Sequence, residues 1–344
     1  MLNRSLYTLA LIAILALISW HGFHHEGSSN KILGINTVAP PNSIGKEAFK
    51  SLQATGATWL SVIPYSFLKP KEAKVTFDHD GQWWGEGITG ASKTVQMAQE
   101  LGYKVMLKPH IWIIDQGWAG DYEPQSEEQW QKWENSYTNY ILTYARIADS
   151  LNVSLFCVGT EFRKTVVKKP AYWRSLIKQV REVYQGKVTY AANWDNYERV
   201  TFWDDLDFIG IDAYFPVSSE KTPSLTSIAK GWDQHALGME SLSKKYAKPI
   251  IFTEYGYRSI DYTTDGHWKY NRDTLETNYQ AQTNAYQGLY SAIWDKTWFR
   301  GGFLWKWHLQ VPWRKDRLMK EFTPQNKPVI KVIQKQYAKN PGQD

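Results

Sequence analysis

The chain has 344 residues, of which 43% are hydrophobic and 22% are charged, and its formal net charge is +6 at pH 7. This length and balance exclude a largely disordered chain and suit one α/β barrel. No long basic run or nucleic-acid motif accompanies the positive charge, so we expect no nucleic-acid partner. The single cysteine, Cys157, lies in an apolar run, which predicts an inert buried thiol.

Residues 1–30 form a segment that we expect to be separate from the fold. A basic start at Arg4 precedes an apolar run from Leu6 to Trp20, which is typical of a signal peptide or signal anchor. The run is short for a membrane span, and no clear cleavage site follows it. We therefore expect an exported protein that is periplasmic, membrane-anchored or secreted. Whether the segment is cleaved or remains as a membrane tether stays open.

After residue 30, apolar β-type runs alternate with amphipathic helical runs, a pattern typical of parallel βα units. Eight strands are predicted, at Lys31–Asn36, Ala57–Tyr65, Lys104–Trp112, Leu155–Phe162, Lys187–Trp194, Asp207–Tyr214, Pro249–Gly256 and Gly301–His308. Helices are predicted at Lys46–Thr55, Ala91–Leu101, Gln129–Leu151, Ala171–Tyr184, Leu225–Tyr246, Leu275–Trp294 and Pro328–Tyr337. No glycine-rich phosphate loop follows the first strand, as it usually would in a doubly wound sheet. We predict a (β/α)8 TIM barrel, with residues 31–344 as a single catalytic domain.

Long segments follow the second, third, seventh and eighth predicted strands, at residues 66–90, 113–128, 258–274 and 309–325. They lie at the strand ends where active sites of such barrels are found. The tryptophans of these segments are Trp83, Trp84, Trp118, Trp268 and Trp313. Aromatic rings offer flat apolar faces with few rotamers, so we expect these segments to cover a cleft that binds sugars.

Two glutamates stand at the ends of predicted strands. Glu161 ends the fourth strand and Glu254 ends the seventh, and strand alternation predicts that both point into the barrel. Two facing carboxylates suit cleavage of a glycosidic bond, because one donates a proton while the other remains ionised. This chemistry needs no cofactor, and the separation of the carboxylates decides between retention and inversion.

These motifs resemble the clan of retaining barrel glycosidases with glutamates on strands four and seven, and more narrowly glycoside hydrolase family 113. The matching stretches are Val158–Phe162, Phe208–Tyr214, Phe252–Tyr257, Phe303–Trp307 and Lys108–His110. The resemblance implies a polysaccharide or oligosaccharide substrate and endo-hydrolysis of β-1,4-mannan by double displacement. It implies Glu161 as the acid/base and Glu254 as the nucleophile.

The resemblance also implies roles for their neighbours. Tyr214 would hold the nucleophile by a hydrogen bond, and Trp305 would form the floor beneath the sugar. The remaining substrate-binding residues that we predict are Asn193, Lys108, His110, Asp212, Trp112 and Trp307. Thr160 stands where many clan members have the asparagine that contacts the sugar 2-hydroxyl, so the sugar is predicted less sharply than the chemistry.

Two other functions fit parts of the sequence. A non-catalytic carbohydrate-binding barrel at the cell envelope would keep the aromatic cleft without the chemistry. A metal-dependent hydrolase would use His110, His308 and Asp212, although the first strand lacks the His-x-His pair of that class. We expect a monomer, and the sequence leaves endo and exo action open.

Overall fold

The computed structural model describes residues 31–266, 268–269, 271, 274–311 and 318–339. Its strands are β1 (Ile32–Val38), β2 (Trp59–Val62), β3 (Tyr65–Lys69), β4 (Lys74–Thr76), β5 (Lys104–Leu107), β6 (His110–Ile113), β7 (Leu155–Thr160), β8 (Lys187–Asn193), β9 (Phe208–Asp212), β10 (Ile250–Tyr255) and β11 (Phe299–His308). Eight of these form a closed barrel in the order β1, β2, β5, β7, β8, β9, β10 and β11, with β11 parallel to β1.

Helices connect the barrel strands. The α-helices are α1 (Lys50–Gln53), α2 (Ile88–Glu100), α3 (Glu127–Ser150), α4 (Thr165–Lys168), α5 (Pro170–Val183), α6 (Leu225–Tyr246), α7 (Tyr279–Ile293) and α8 (Ile330–Ala338). Short 3-10 helices lie at Lys46–Phe49, Trp84–Glu86, Tyr197–Arg199 and Trp203–Asp205. This architecture confirms the predicted (β/α)8 barrel and all eight of its predicted strands.

Most predicted helices agree with the structure to within a few residues, and α6 matches its predicted bounds. The predicted helix Leu275–Trp294 begins too early, because Thr277 forms a β-bridge with Ile260. The helix starts after Asn278, whose side chain accepts a 2.9 Å hydrogen bond from the Ala281 N–H. This N-cap satisfies a backbone donor that the first helical turn leaves unpaired.

The second and third predicted strands are too long. Each is interrupted near a proline, Pro64 in one and Pro109 in the other, and proline cannot donate a backbone hydrogen bond to the barrel. The residues beyond these prolines form β3 and β6, which pair with each other in a small sheet of order β4, β3, β6. This second sheet carries Trp112 above the mouth of the barrel instead of inside it, and that side chain is 50% exposed.

The apolar core has two layers. Inside the barrel, a small cluster is formed by Ile32, Met106, Leu155, Cys157, Ala191, Ile251 and Phe303. A much larger cluster fills the space between strands and helices. Cys157 is fully buried in the inner layer, where burial raises the pKa of its thiol to about 11, in agreement with an inert cysteine.

The predicted export segment, residues 1–30, lies outside the described residues, as does Trp313. Within the residues that are described, no helix is long and apolar enough to cross a membrane.

Candidate functional site

A cleft of about 870 Å³ opens at the C-terminal mouth of the barrel. Both Glu161 and Glu254 line it. Its walls are largely aromatic, formed by Tyr65, Trp112, Trp118, Trp194, Trp268 and Trp305. This composition agrees with the expectation that tryptophans from the long loops cover a sugar-sized cleft.

Glu161 reaches the cleft through a backbone irregularity at the end of β7. The pairing of β7 with β8 shifts between Cys157 and Thr160, so simple alternation fails there. Gly159 faces the outer aromatic core, where an added Cβ would lie 2.8 Å from the ring of Trp173. Glu161 itself has a left-handed φ of 57°, an uncommon conformation for a residue with a side chain. The bulge and this turn together place its carboxylate at the mouth of the barrel.

Glu254 also depends on a bulge. Ile251 belongs to the inner layer, whereas Phe252 packs outside the barrel, so strict alternation would point Glu254 outwards. The pairing shifts between Phe252 and Glu254, where β10 has one residue more than β9. The prediction that alternation alone gives both glutamates an inward orientation is therefore wrong in its reason, although both side chains line the cleft.

The carboxylate of Glu254 is held on both oxygens. The Lys108 ammonium donates to Oε1 at 2.6 Å, and the Tyr214 hydroxyl donates to Oε2 at 2.6 Å. Lys108 also donates to Asp212 Oδ1 at 3.2 Å, and the Thr253 hydroxyl donates to the same oxygen at 2.7 Å. One cation thus joins two buried carboxylates beneath the cleft.

The charges in this group perturb one another. Burial and the nearby charge of Glu254 raise the pKa of Asp212 to about 7, against the opposing effect of Lys108. Burial alone would lower the pKa of Lys108, but the charges of Asp212 and Glu254 outweigh it and raise that pKa. Lys108 therefore remains a cation, and its positive charge lies directly against Glu254 Oε1.

Glu161 has a different environment. Burial and the charges of Asp212 and Glu254 raise its pKa well above the usual range, whereas Lys108 and the Trp118 hydrogen bond oppose that rise. The indole N–H of Trp118 donates to Glu161 Oε2 at 2.5 Å. Glu161 therefore holds its proton to a higher pH than an exposed glutamate does, whereas the Glu254 carboxylate lies against the Lys108 ammonium.

Five of the eight predicted substrate-binding residues line the same cleft: Tyr214, Trp305, His110, Asn193 and Trp112. The His110 ring is nearly parallel to the Trp305 ring, with centroids 6.2 Å apart, and its Nε2 lies 3.7 Å from Glu254 Oε1. Burial and the charge of Lys108 hold the pKa of His110 well below its usual value, so this imidazole is neutral. Asn193 donates to Asp195 at 2.8 Å.

Three predicted substrate contacts are corrected by the structure. Lys108 and Asp212 have fully buried side chains and lie beneath Glu254, so they do not reach sugar hydroxyls. Trp307 is 3% exposed and belongs to the outer core. The pairing of β11 with β1 skips Lys306, because Trp305 is opposite Asn36 while Trp307 is opposite Thr37. This bulge reverses the alternation.

The metal-site alternative is not supported by the geometry. The part of the chain that the structure describes brings no three His, Cys, Asp or Glu side chains together as a metal site. Asp212 is engaged by Lys108 and Thr253, and His308 lies apart, next to Gln325. The three residues of that hypothesis are therefore not gathered into one metal site.

Sequence reasoning missed several residues that line the cleft. The main ones are Tyr65, Arg163, Trp194, Asp195 and Arg258. Trp194 and Asp195 follow β8 directly, so a search of every strand end for polar and aromatic residues would have found them. No comparable signal marks Arg163, because its importance depends on contacts with two other loops.

A second cleft of about 510 Å³ continues from the first over β1 and β2. Tyr65, Trp112 and Trp305 line both clefts. The second cleft adds Trp83, which is 51% exposed, and Lys306. Together the two clefts extend across the mouth of the barrel, with Trp305 at their junction.

Comparison with known proteins returns the same architecture. The model of glycoside hydrolase family 113 matches residues 41–327. The family 113 β-mannanase AaManA from Alicyclobacillus acidocaldarius, in complex with ManMIm, is 25% identical with a TM-score of 0.78, covering 90% of this chain and 98% of that one. A complex of a family 113 β-1,4-mannanase is 26% identical with a TM-score of 0.75, covering 90% and 99%.

More distant structures share only the fold. A β-glucuronidase from Faecalibacterium prausnitzii is 12% identical with a TM-score of 0.60, covering 92% of this chain and 50% of that one. No curated protein sequence matches the chain significantly.

Proposed function

Because the chain belongs to glycoside hydrolase family 113 and is a glycoside hydrolase, we propose that it cleaves β-1,4-mannan or related oligosaccharides with retention of configuration. Glu161 is the general acid/base in this proposal and Glu254 is the nucleophile. The observation that carries the proposal is the contrast between the two carboxylates in one cleft. Glu254 is held by a cation and a hydroxyl, whereas Glu161 is half-buried at the cleft and accepts a hydrogen bond from a neutral N–H donor.

The first step uses both carboxylates. A Glu254 oxygen attacks the anomeric carbon while the bond from that carbon to the leaving oxygen breaks, and the Glu161 proton goes to the leaving oxygen. The product of this step is a glycosyl ester on Glu254. Glu254 attacks as a carboxylate in this proposal, and the Lys108 ammonium lies 2.6 Å from one of its oxygens.

The second step reverses the roles. Ionised Glu161 takes a proton from water, the water oxygen attacks the anomeric carbon, and the ester bond to Glu254 breaks. The enzyme returns with Glu161 protonated and Glu254 ionised. Tyr214 and Lys108 donate to the Glu254 oxygens as their charge returns, so the same two contacts serve the departure of the ester.

Mannan is proposed from the similarity to the family 113 β-mannanases, which cover nearly the whole barrel. The walls of the cleft are consistent with a neutral polymer, since their exposed rings offer stacking surfaces. Two joined clefts of about 870 and 510 Å³ give space on both sides of Trp305, which supports the binding of several sugars and endo action.

The test combines product analysis with three variants. We expect the wild-type protein to release β-configured reducing ends first from β-1,4-manno-oligosaccharides. Glu254→Gln and Glu161→Gln should each lower kcat by at least about a thousandfold on unactivated substrate, with unchanged circular dichroism. Glu240→Gln is the matched control, because Glu240 pairs with Lys244 on α6, away from the cleft.

The outcomes separate the parts of the proposal. Release of the α-anomer would overturn retention, and wild-type activity in either cleft variant would overturn its assigned role. Activity on another β-linked oligosaccharide with none on mannan would overturn the substrate alone. Binding without turnover over days would favour a carbohydrate-binding protein.

A further inference from the structure

We propose that Arg163 is a positioning residue that fixes the Trp118 indole against Glu161, and so adjusts the acid/base residue of the reaction. The inference rests on the proposed function, because it assigns a partner to the acid/base. Arg163 follows Glu161 by two residues and lines the wall of the cleft. Three loops at the barrel mouth meet at its guanidinium.

The contacts of Arg163 join separate parts of the chain. Its Nη2 donates to Asp121 at 2.5 Å, and its Nη1 donates to Asp195 at 2.8 Å. Asp121 lies in the loop that carries Trp118, and Asp195 follows β8. The guanidinium also lies over the Trp118 ring, with its carbon 5.0 Å from the ring centroid. The planar, forked guanidinium directs its donors to the two aspartates while its face lies over the ring, a geometry that the compact ammonium of a lysine does not reproduce.

Trp118 needs this support because its loop is irregular. The chain reverses at Gly117, which has a φ of 81° and donates to the Ile113 carbonyl at 2.6 Å. The Trp118 ring then packs over Gly120, where an added Cβ would lie 2.2 Å from it. Trp118 is 38% exposed, so the packing against Gly120 supports only one face of the indole. Arg163 covers another part of the ring.

The Trp118 contact has a chemical consequence. An indole N–H can only donate, so it stabilises the ionised carboxylate of Glu161 and opposes the rise of that pKa. A Glu161 that ionises more readily is a stronger proton donor to the leaving oxygen. The other titratable groups that face Glu161 are Lys108, Asp212, Glu254, Tyr65, Tyr190 and Tyr214. The Arg163 guanidinium binds Asp121 and Asp195 and lies over Trp118, so we expect its effect on Glu161 to pass through Trp118 and the loops.

The experiment compares Arg163→Met with Arg174→Met. Arg174 also pairs with two aspartates, Asp204 and Asp205 at 3.0 and 2.5 Å, and its exposure of 39% is close to the 32% of Arg163. It lies on α5, outside the cleft, so its substitution should leave kcat/KM within about twofold of the wild type. Arg163→Met should lower kcat/KM roughly 10- to 100-fold on unactivated manno-oligosaccharides. Arg163→Lys should recover only part of this loss.

Two readouts separate positioning from a merely structural role. Loss of the Trp118 donor raises the pKa of Glu161, so the alkaline limb of the kcat/KM profile should move to higher pH in Arg163→Met and in Trp118→Phe. The combined variant should lose little more than either single variant, because both remove one interaction. The defect should also shrink on aryl β-mannosides with good leaving groups, whose departure needs little protonation.

Several results would contradict the proposed role of Arg163. An Arg163→Met variant no worse than Arg174→Met would overturn the inference, and so would an activity loss with an unmoved alkaline limb and additive effects with Trp118→Phe. If Glu161→Gln keeps wild-type activity, the proposed function itself fails. If Glu161→Gln is inactive while Arg163→Met is normal, only this inference fails.

Discussion

Lys108→Met is the substitution that most severely perturbs the base of the cleft. Methionine keeps much of the length of the lysine stem but has no charge and no donor. The change removes the 2.6 Å contact with Glu254 and the 3.2 Å contact with Asp212. Two carboxylates with side-chain exposures of 7% and 0% are then left close together without their shared cation.

The loss in the free energy of unfolding can be estimated from these two contacts. A hydrogen bond to a charged group contributes about 1.5–3 kcal/mol, so two give about 3–6 kcal/mol. Removing one partner of a buried ion pair typically costs about 3–5 kcal/mol, and this range overlaps the sum for the two hydrogen bonds. We therefore expect the free energy of unfolding to fall by about 3–5 kcal/mol near pH 8, and kcat/KM to fall at least about a hundredfold.

The stability deficit of Lys108→Met should grow as pH rises. Lys108 lowers the pKa of Asp212, which is about 7 in the folded wild type, so its removal moves this pKa higher. At pH values between the Asp212 pKa of the wild type and the higher Asp212 pKa of the variant, the folded variant holds a proton that the folded wild type has released. The variant therefore loses stability relative to the wild type as pH rises through this range. The deficit should therefore be smaller near pH 6 than near pH 8.

Urea unfolding at both pH values, with kcat/KM on manno-oligosaccharide, checks this prediction. Lys69→Met is the matched control, because Lys69 pairs with Glu72 at 3.0 Å with both side chains more than half exposed. Such a pair contributes at most about 1 kcal/mol. A Lys108→Met variant as stable as this control, with wild-type activity, would show that Lys108 does not stabilise the two buried carboxylates.

Three further substitutions have defined outcomes. Tyr214→Phe removes a 2.6 Å hydrogen bond to Glu254 and should lower kcat/KM about 10- to 150-fold, with little change in circular dichroism; an unchanged kcat/KM would contradict this. Trp83→Ala removes a half-exposed ring of the second cleft, so KM should rise about 2- to 10-fold for long but not short manno-oligosaccharides, and equal effects on both would exclude its use. Burial lowers the pKa of Lys327 from 10.5 to about 7, so the wild type should lose stability relative to Lys327→Met as pH falls from 10.5 to about 7. Thermal unfolding of both proteins across this range tests the prediction, and a stability difference that does not change with pH would contradict it.

The strands and the barrel could be predicted because their signals are local and repeated. Each apolar run is followed by a helical run, and eight such units leave one closed arrangement. The ends of the second and third strands could not be placed this way. Pro64 and Pro109 stop the barrel pairing, but only the structure shows that the residues beyond them pair with each other in a second sheet.

The positions of the glutamates were predictable and the way they reach the cleft was not. Alternation assumes regular pairing, whereas bulges precede both Glu161 and Glu254 and another follows Trp305. The same assumption wrongly placed Trp307 among the substrate contacts. Bulges depend on pairing between strands that are distant in sequence, so a local sequence pattern does not predict them. Arg163 was missed for the same reason, since its partners are 42 and 32 residues away.

Formation of a covalent ester on Glu254 during turnover can be detected directly. A 2-deoxy-2-fluoro-β-mannosyl fluoride should inactivate the enzyme with time, since the fluorine slows the second step more than the departure of a good leaving group. Mass spectrometry of the digested protein should then find one fluoromannosyl group, on the peptide that contains Glu254. Label on another carboxylate, or full hydrolytic activity with no covalent adduct at any reagent concentration, would show that Glu254 is not the nucleophile.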